Sequence, residues 1–294
     1  MDAAQLLQLG VSGIVTGGIY ALIAVGFIIV YNVTGIINFA QGEFVTLGAL
    51  ITVSLYSNAH LSLPLAVIIS IAAVTLVGVV MERLAIKPAK NASLVTFIII
   101  TIGISTAIRG AALLFWGTDS FTLPEFQRLF DIKSLGGAHI SYQHQWIMVT
   151  TLLCFVGLVM FFEYTYLGKA VRACVINKNA AQLMGISPQR MSLLAFAIAG
   201  AMGALAGIVI TPLTSANYDM GLMLGLKGFV AAVLGGLTSI PGALVGGIVL
   251  GLAEAFGGGL VSSGYMNAIA FLILVVILFT RPDGFFGSKG GSRV

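Results

Sequence analysis

Residues 163–189 read E-Y-T-Y-L-G-K-A-V-R-A-C-V-I-N-K-N-A-A-Q-L-M-G-I-S-P-Q. This polar, charged stretch lies between two long apolar runs, in a chain that is otherwise mostly apolar runs. It contains a short helix with its own signals. Asn177 can cap the start by accepting from a free backbone N–H. Gly185 can take the left-handed position that ends it, and Pro188 then prevents a restart. Ala180, Leu183 and Met184 share one face by i, i+3, i+4 spacing. A helix of one or two turns is marginal in water unless its apolar face is buried. Either it packs on the protein's own membrane part or a partner covers it.

The flanking composition says which kind of protein surrounds this loop. Of 294 residues, 59% are hydrophobic and 8% charged, with a mean hydropathy of +1.07. Soluble domains carry about 25% charged residues, so the chain is expected to be an integral membrane protein forming a single domain, 1–294. The 37 glycines suit helices that approach closely in a bilayer. Cys154 and Cys174 fall on opposite sides of a segment boundary, which argues against a disulfide. The first ten residues hold no Lys or Arg and do not resemble a signal peptide.

Spanning the hydrocarbon core takes about 20 apolar residues. Runs that qualify are 10–31, 61–81, 93–116, 146–162, 191–211, 243–260 and 265–280. Two more are doubtful: 35–56, interrupted by Asn38, Gln41 and Glu43, and 221–237, interrupted by Lys227. Eight or nine segments result. Arg83, Lys87 and Lys90, then Lys169, Arg172, Lys178 and Arg190, then Arg281, Lys289 and Arg293 mark three cytoplasmic regions. The loop 117–145 offsets Arg128 and Lys133 with Asp119, Glu125 and Asp131, and is expected outside. If 35–56 spans, the N-terminus lies outside; if it is broken or re-entrant, inside. Irregular backbone at that depth must be buried or line a cavity.

Ionisable groups inside a membrane are costly and usually face the bundle interior or a cavity. Asn38, Gln41 and Glu43 either line a solute path or satisfy backbone at a helix break. Lys227 and Glu254 each lie six residues from the outer end of their runs, about 9 Å deep at ~1.5 Å per residue, so they can pair if their helices are neighbours. Otherwise Lys227 snorkels to the outer interface, as Arg109 is expected to do. Glycine pairs four apart (Gly13 and Gly17, Gly203 and Gly207, Gly242 and Gly246, Gly247 and Gly251) read as tight packing within one subunit. No internal sequence repeat is visible.

Three stretches carry a family resemblance. G-I-I-N-F-A-Q-G-E-F at 35–44, G-L-K-G-F-V-A-A-V-L-G-G-L-T-S-I-P-G-A at 225–243 and R-P-D-G-F-F-G at 281–287 resemble the LivH-type permease subunits of branched-chain amino-acid ABC importers. N-A-A-Q-L-M-G at 179–185 is similar to the E-A-A-x-x-x-G loop of ABC importer permeases, with Asn179 where that loop has Glu. The resemblance covers nearly the whole chain. It implies an all-α polytopic membrane protein with a type II ABC importer-like helix bundle, in a bacterial inner membrane. The partners implied are a homologous LivM-type permease, two cytoplasmic ABC ATPases and a periplasmic binding protein. ATP and Mg would be bound by the ATPases, and no cofactor by this chain. Asn179, Ala180, Ala181, Leu183, Met184 and Gly185 would form the ATPase-coupling helix. Asn38, Gln41, Glu43, Lys227 and Glu254 are the translocation-path candidates. The solute would be a branched-chain or other neutral amino acid, or a related small amide.

Two other classes stay in view. An ion-coupled secondary transporter would pair discontinuous helices with midplane carboxylates such as Glu43 and Glu254. An intramembrane enzyme would need a nucleophile–base or metal constellation, and the sequence offers none. His60, His139 and His144 all fall in outer loops by this reading. No phosphate-binding Gly-rich loop with Lys-Ser/Thr is present, and nothing in the sequence points to nucleic acid.

Overall fold

The computed structural model describes residues 2–89, 92–131, 134–135, 137–260 and 262–287. Lys90, Lys133, Lys289 and Arg293 of the charge argument lie outside the described residues. Helix α1 (Ala3–Thr34) is the hub. It is apolar on all sides, which suits a helix surrounded by others, and 89% of its most apolar window is buried. It ends where Gly35 turns left-handed at φ 76° and donates its N–H to Tyr31 O. The chain then runs non-helically through 36–40 and restarts as α2 (Gln41–Ser57).

Helix α3 (Leu63–Met81) continues into a π-helical turn, Glu82–Ile86, and α4 (Leu94–Trp116) is capped by Ser93. A loop with a two-residue hairpin, β1 (Ser134–Leu135) against β2 (Ala138–His139), leads to α5 (Tyr142–Tyr164). Helix α5 is longer than the apolar run because Ser141 caps it at His144 N–H. His144 therefore belongs to the first helical turn and not to a loop. Then come α6 (Tyr166–Ile176), α7 (Lys178–Leu183), α8 (Pro188–Thr214), α9 (Met220–Gly235), α10 (Ile240–Leu260) and α11 (Met266–Thr280). Seven of these helices are long and apolar enough to cross a membrane; α9 is apolar but shorter. The most apolar window of α11 is only 6% buried, which leaves Leu272, Leu278 and Phe279 exposed on the bundle.

Two ends of the bundle are distinguishable. Gln8 bonds to His139 in the loop hairpin, Trp116 bonds to Ser54, and Phe121 pairs with Ala216. At the opposite end Asn32 reaches Thr238 O, near α6 and the 281–287 segment. The described lysines and arginines of the three basic regions gather at this second end, the end that the positive-inside rule assigns to the cytoplasm, and α1 runs toward it. The either/or expected for 35–56 does not hold. The segment is broken at its inner end, yet α2 still leaves on the outer side.

Helices α2 and α9 both begin inside the bilayer thickness and point in opposite directions. Gly42 packs against the backbone of Gly221 and Gly225, and Gly221 N–H donates to Thr46 Oγ1 at 3.0 Å. A Cβ on either partner would meet main-chain atoms that cannot yield. The glycine pairs do likewise within this one chain. A Cβ on Gly17 would sit 2.7 Å from Gly247 O, and one on Gly13 2.8 Å from the Cα of Leu252. These contacts make α1 and α10 antiparallel neighbours with touching backbones.

The segment 281–287 has a structural task. Phe285 and Phe286 donate their N–H groups to Leu234 O and Gly235 O at 2.9 and 3.1 Å. Those are end carbonyls of α9, which lack partners within the helix. Gly236 (φ 100°) and Gly284 (φ 73°) make this close approach possible.

Candidate functional site

The loop 163–189 folds as two helices, one more than expected. Helix α6 is capped by Thr165, whose Oγ1 accepts from Gly168 N–H at 3.0 Å, and it seats Val171 and Cys174 against the bundle. Its start signal, a Thr two residues before Leu-Gly, was available in the sequence but lay under the stronger Asn177–Gly185 pattern. Helix α7 begins as expected, with Asn177 Oδ1 accepting from Ala180 N–H at 3.0 Å. It also ends as expected, at Gly185 with φ 83°. Pro188 is different. It does not stop a helix but opens α8, because its missing N–H falls where helices have no acceptor to offer.

The loop residues divide by exposure. Ala181 is 4% exposed and packs into the chain's own core. Leu183 and Met184 are 89% and 83% exposed, and Ile176 beside them is 85% exposed. Asn179, Ala180 and Gly185 are exposed too. At the basic end of the bundle, this leaves a small apolar face projecting from the protein.

Inside the membrane part, Asn38 Oδ1 accepts from Ala40 N–H at 3.1 Å, and Gln41 Nε2 donates to Ala199 O at 3.0 Å. Asn38 thus holds a main-chain group at the break between α1 and α2, while Gln41 ties the start of α2 to the middle of α8. Gly26 is bare because the Gln41 side chain lies over it. Glu43 is placed differently. Its Oε1 accepts from Ser105 Oγ at 2.8 Å and from Arg109 Nη2 at 3.1 Å. Arg109 therefore reaches inward and does not snorkel. Trp116 and Ser54 set α4 and α2 level at the outer end. From there Arg109 is about 10 Å and Glu43 about 16 Å down their helices, a gap that an arginine side chain spans. Sequence depth alone missed this pair because Glu43 sits in the restarted helix. A buried carboxylate seeks a cation wherever one is in reach.

Glu43 and Arg109 lie on the wall of a cavity of about 280 Å³, bounded by α2, α4 and α9. Phe27, Phe39 and Phe229 close one side of it, with ring centroids 5.7 Å apart in each contact with Phe229.

Lys227 and Glu254 also meet. The ammonium lies 3.1 Å from Glu254 Oε1 and 3.1 Å from Oε2. Tyr20 OH donates to Oε2 at 2.6 Å. The group joins α1, α9 and α10. Side chains lean toward their own helix N-terminus, and in the antiparallel α1 and α10 this aims Tyr20 and Glu254 at each other. The two charged pairs remain separate. Leu222, Gly225, Leu226 and Phe229 face the cavity, and at ~100° per residue Lys227 is roughly 150° around the helix from them.

A protein-family model described as the permease component of the branched-chain amino acid transport system matches residues 10–278. The chain belongs to this permease family. It is 36% identical to the high-affinity branched-chain amino acid transport system permease protein BraD of Pseudomonas aeruginosa, over 98% of both chains. It is 33% identical to LivH of Escherichia coli, over 98% of this chain and 97% of that one. The ribose import permease protein RbsC of Haemophilus influenzae is 27% identical, with 92% of this chain and 83% of that one covered. In fold the permease resembles PsaBC of Streptococcus pneumoniae, solved in complex with Fab, with a TM-score of 0.50 at 13% identity, covering 92% and 91% of the two chains. It is thus a multi-pass membrane permease component, a transport subunit and not an enzyme.

Proposed function

We propose that this permease is the membrane-spanning subunit of an ATP-driven importer that passes branched-chain or other neutral amino acids from a periplasmic binding protein to the cytoplasm by alternating access. The observation that carries the ATP-driven part is the exposed α7 face of Leu183 and Met184, together with Ile176 of α6. A helix this short does not keep such a face in water, and a cleft in a cytoplasmic ATPase would cover it. ATP and Mg belong to two such ATPases and not to this chain. A second, LivM-type permease would complete the membrane part, in a bacterial inner membrane. The solute assignment rests on the relatives named for branched-chain amino acids and on a cavity that holds both signs of charge beside aromatic rings.

Short helices such as α2 and α9, which begin inside the bilayer and run in opposite directions, are also a feature of ion-coupled transporters. The separating experiment is reconstitution of the full set of subunits in proteoliposomes. Uptake of labelled leucine should require ATP and the binding protein. Uptake driven by a sodium or proton gradient without ATP would overturn the reading.

A further inference from the structure

We propose that the Glu43–Arg109 cavity is a binding site for one neutral α-amino acid in transit, in which Glu43 takes the ammonium, Arg109 takes the carboxylate, and Phe27, Phe39 and Phe229 receive the side chain. This rests on the reading of the chain as an amino-acid permease and assigns that function to particular atoms.

The argument begins with charge. Glu43 is 1% exposed and Arg109 26% exposed, so the pair has one dry partner and one that looks into the cavity. The guanidinium commits Nη2 to Glu43 and Ser105, at 3.1 and 3.4 Å, while its Nε–H is buried and has no partner among the described residues. Guanidinium groups bind carboxylates through two parallel N–H bonds, and opening the pair with Glu43 would free donors for that. Thr46 Oγ1 donates to Oε2 of Glu43 at 3.4 Å, and Ser105 Oγ donates to Oε1 beside Arg109 at 2.8 Å, so both hydroxyls hold the carboxylate in place. A zwitterion can therefore insert between the two residues. One ion pair opens, two form, and the net charge of the site stays zero.

Size and position fit the same solute. The cavity, about 280 Å³, is just below the ~300–1,000 Å³ range of drug-sized ligand sites, which suits one small solute. The charged pair lies on the outer side. Phe229 is one turn further along the inward-running α9 than Gly225, so the rings form the inner side. An apolar side chain would point toward the cytoplasm and the head group toward the entrance. Gly42, Gly221 and Gly225 leave the wall bare there. Because the pair closes on itself when empty, it competes with the solute and keeps binding weak. An importer needs that, since a tight site would retain its cargo.

The test uses the assembled complex, in a background without Cys154 and Cys174, with Thr106→Cys at the cavity as the probe. The rate of maleimide modification is measured without binding protein against rising L-leucine, 4-methylpentanoate (no ammonium) and 3-methylbutylamine (no carboxylate). Leucine at tens of millimolar should slow modification several-fold, and neither one-charge analogue should. Glu43→Gln and Arg109→Gln should each abolish the protection. If those variants do not assemble, Phe39→Ala decides: it should weaken protection by leucine and leave protection by alanine unchanged. Equal protection by the analogues, or no protection in a complex whose ATP-dependent uptake is intact, overturns the site and leaves the proposed function standing. Uptake of some other solute and of no neutral amino acid overturns that function and the site with it.

Discussion

The ammonium of Lys227 and the carboxylate of Glu254 lie 3.1 Å apart inside the membrane part of this permease, and Tyr20 bonds to the same carboxylate. Removing one member leaves the other buried and uncompensated, at a cost of about 3–5 kcal/mol. Lys227→Met should lower the thermal stability and membrane level of the complex. Adding Glu254→Gln should restore part of both, because the stranded charge is gone. A double-mutant cycle measures this, and simple additivity of the two defects would reject the coupling.

The cytoplasmic helix separates two kinds of defect. Leu183→Asp and Met184→Asp change exposed positions, so the permease should reach the membrane at a normal level but co-purify poorly with ATPase and lose uptake. Ala181→Glu changes a residue 4% exposed and should instead reduce the amount of protein. Gly185→Val forces a β-branched residue to φ 83° and should distort the helix end. Membrane level, co-purification and uptake, measured on the same preparations, distinguish these outcomes. Normal uptake by Leu183→Asp would remove α7 from the coupling role.

Orientation is open to direct labelling. Single cysteines at Gln5 and Ser120 should react with an impermeant maleimide from outside, and at Lys178 and Gln189 only after the membrane is opened. Gln5 is the informative site, since it fixes the side on which α1 begins. Protection of Gln5→Cys in intact cells would mean that α1 starts inside and runs outward.

Backbone contact between α1 and α10 sets a contrast among glycines. Gly17→Ala places a Cβ 2.7 Å from Gly247 O, whereas Gly103→Ala meets nothing within 4 Å. Gly17→Ala should lower the melting temperature of the complex by several degrees. Gly103→Ala should leave it unchanged or raise it slightly, since alanine favours helix over glycine.

Much of this was legible in the sequence because bilayers impose length. The seven long crossings, the Asn177 cap and the Gly185 stop all follow from spacing along single helices; Lys227 and Glu254 do pair, but not at equal depth, because α9 starts inside the bilayer. What was not legible depends on where a helix begins. Glu43 cannot be matched to Arg109 without the position of the break at 36–40, and an arginine near the end of an apolar run reads by itself as an interfacial one. Pro188 carries the same signal for a helix that ends before it and one that starts at it. Only the three-dimensional packing divides Ala181, which faces inward, from Leu183 and Met184, which face out. The path roles of Asn38, Gln41, Lys227 and Glu254 came from polarity alone. The structure shows the first two bonded to main-chain groups and the last two paired on the side of α9 away from the cavity.

The bonds from Phe285 and Phe286 to the end of α9 join parts of the chain made far apart in time. The ribosome finishes α9 and then makes two further crossings, α10 and α11, before the residues that complete its last turn exist. Throughout that interval the helix end and its carbonyls stay open to water at the cytoplasmic face. The interrupted helix beside the cavity is thus finished among the last elements of the fold, and a polypeptide halted before residue 285 would carry an inserted but unlatched α9.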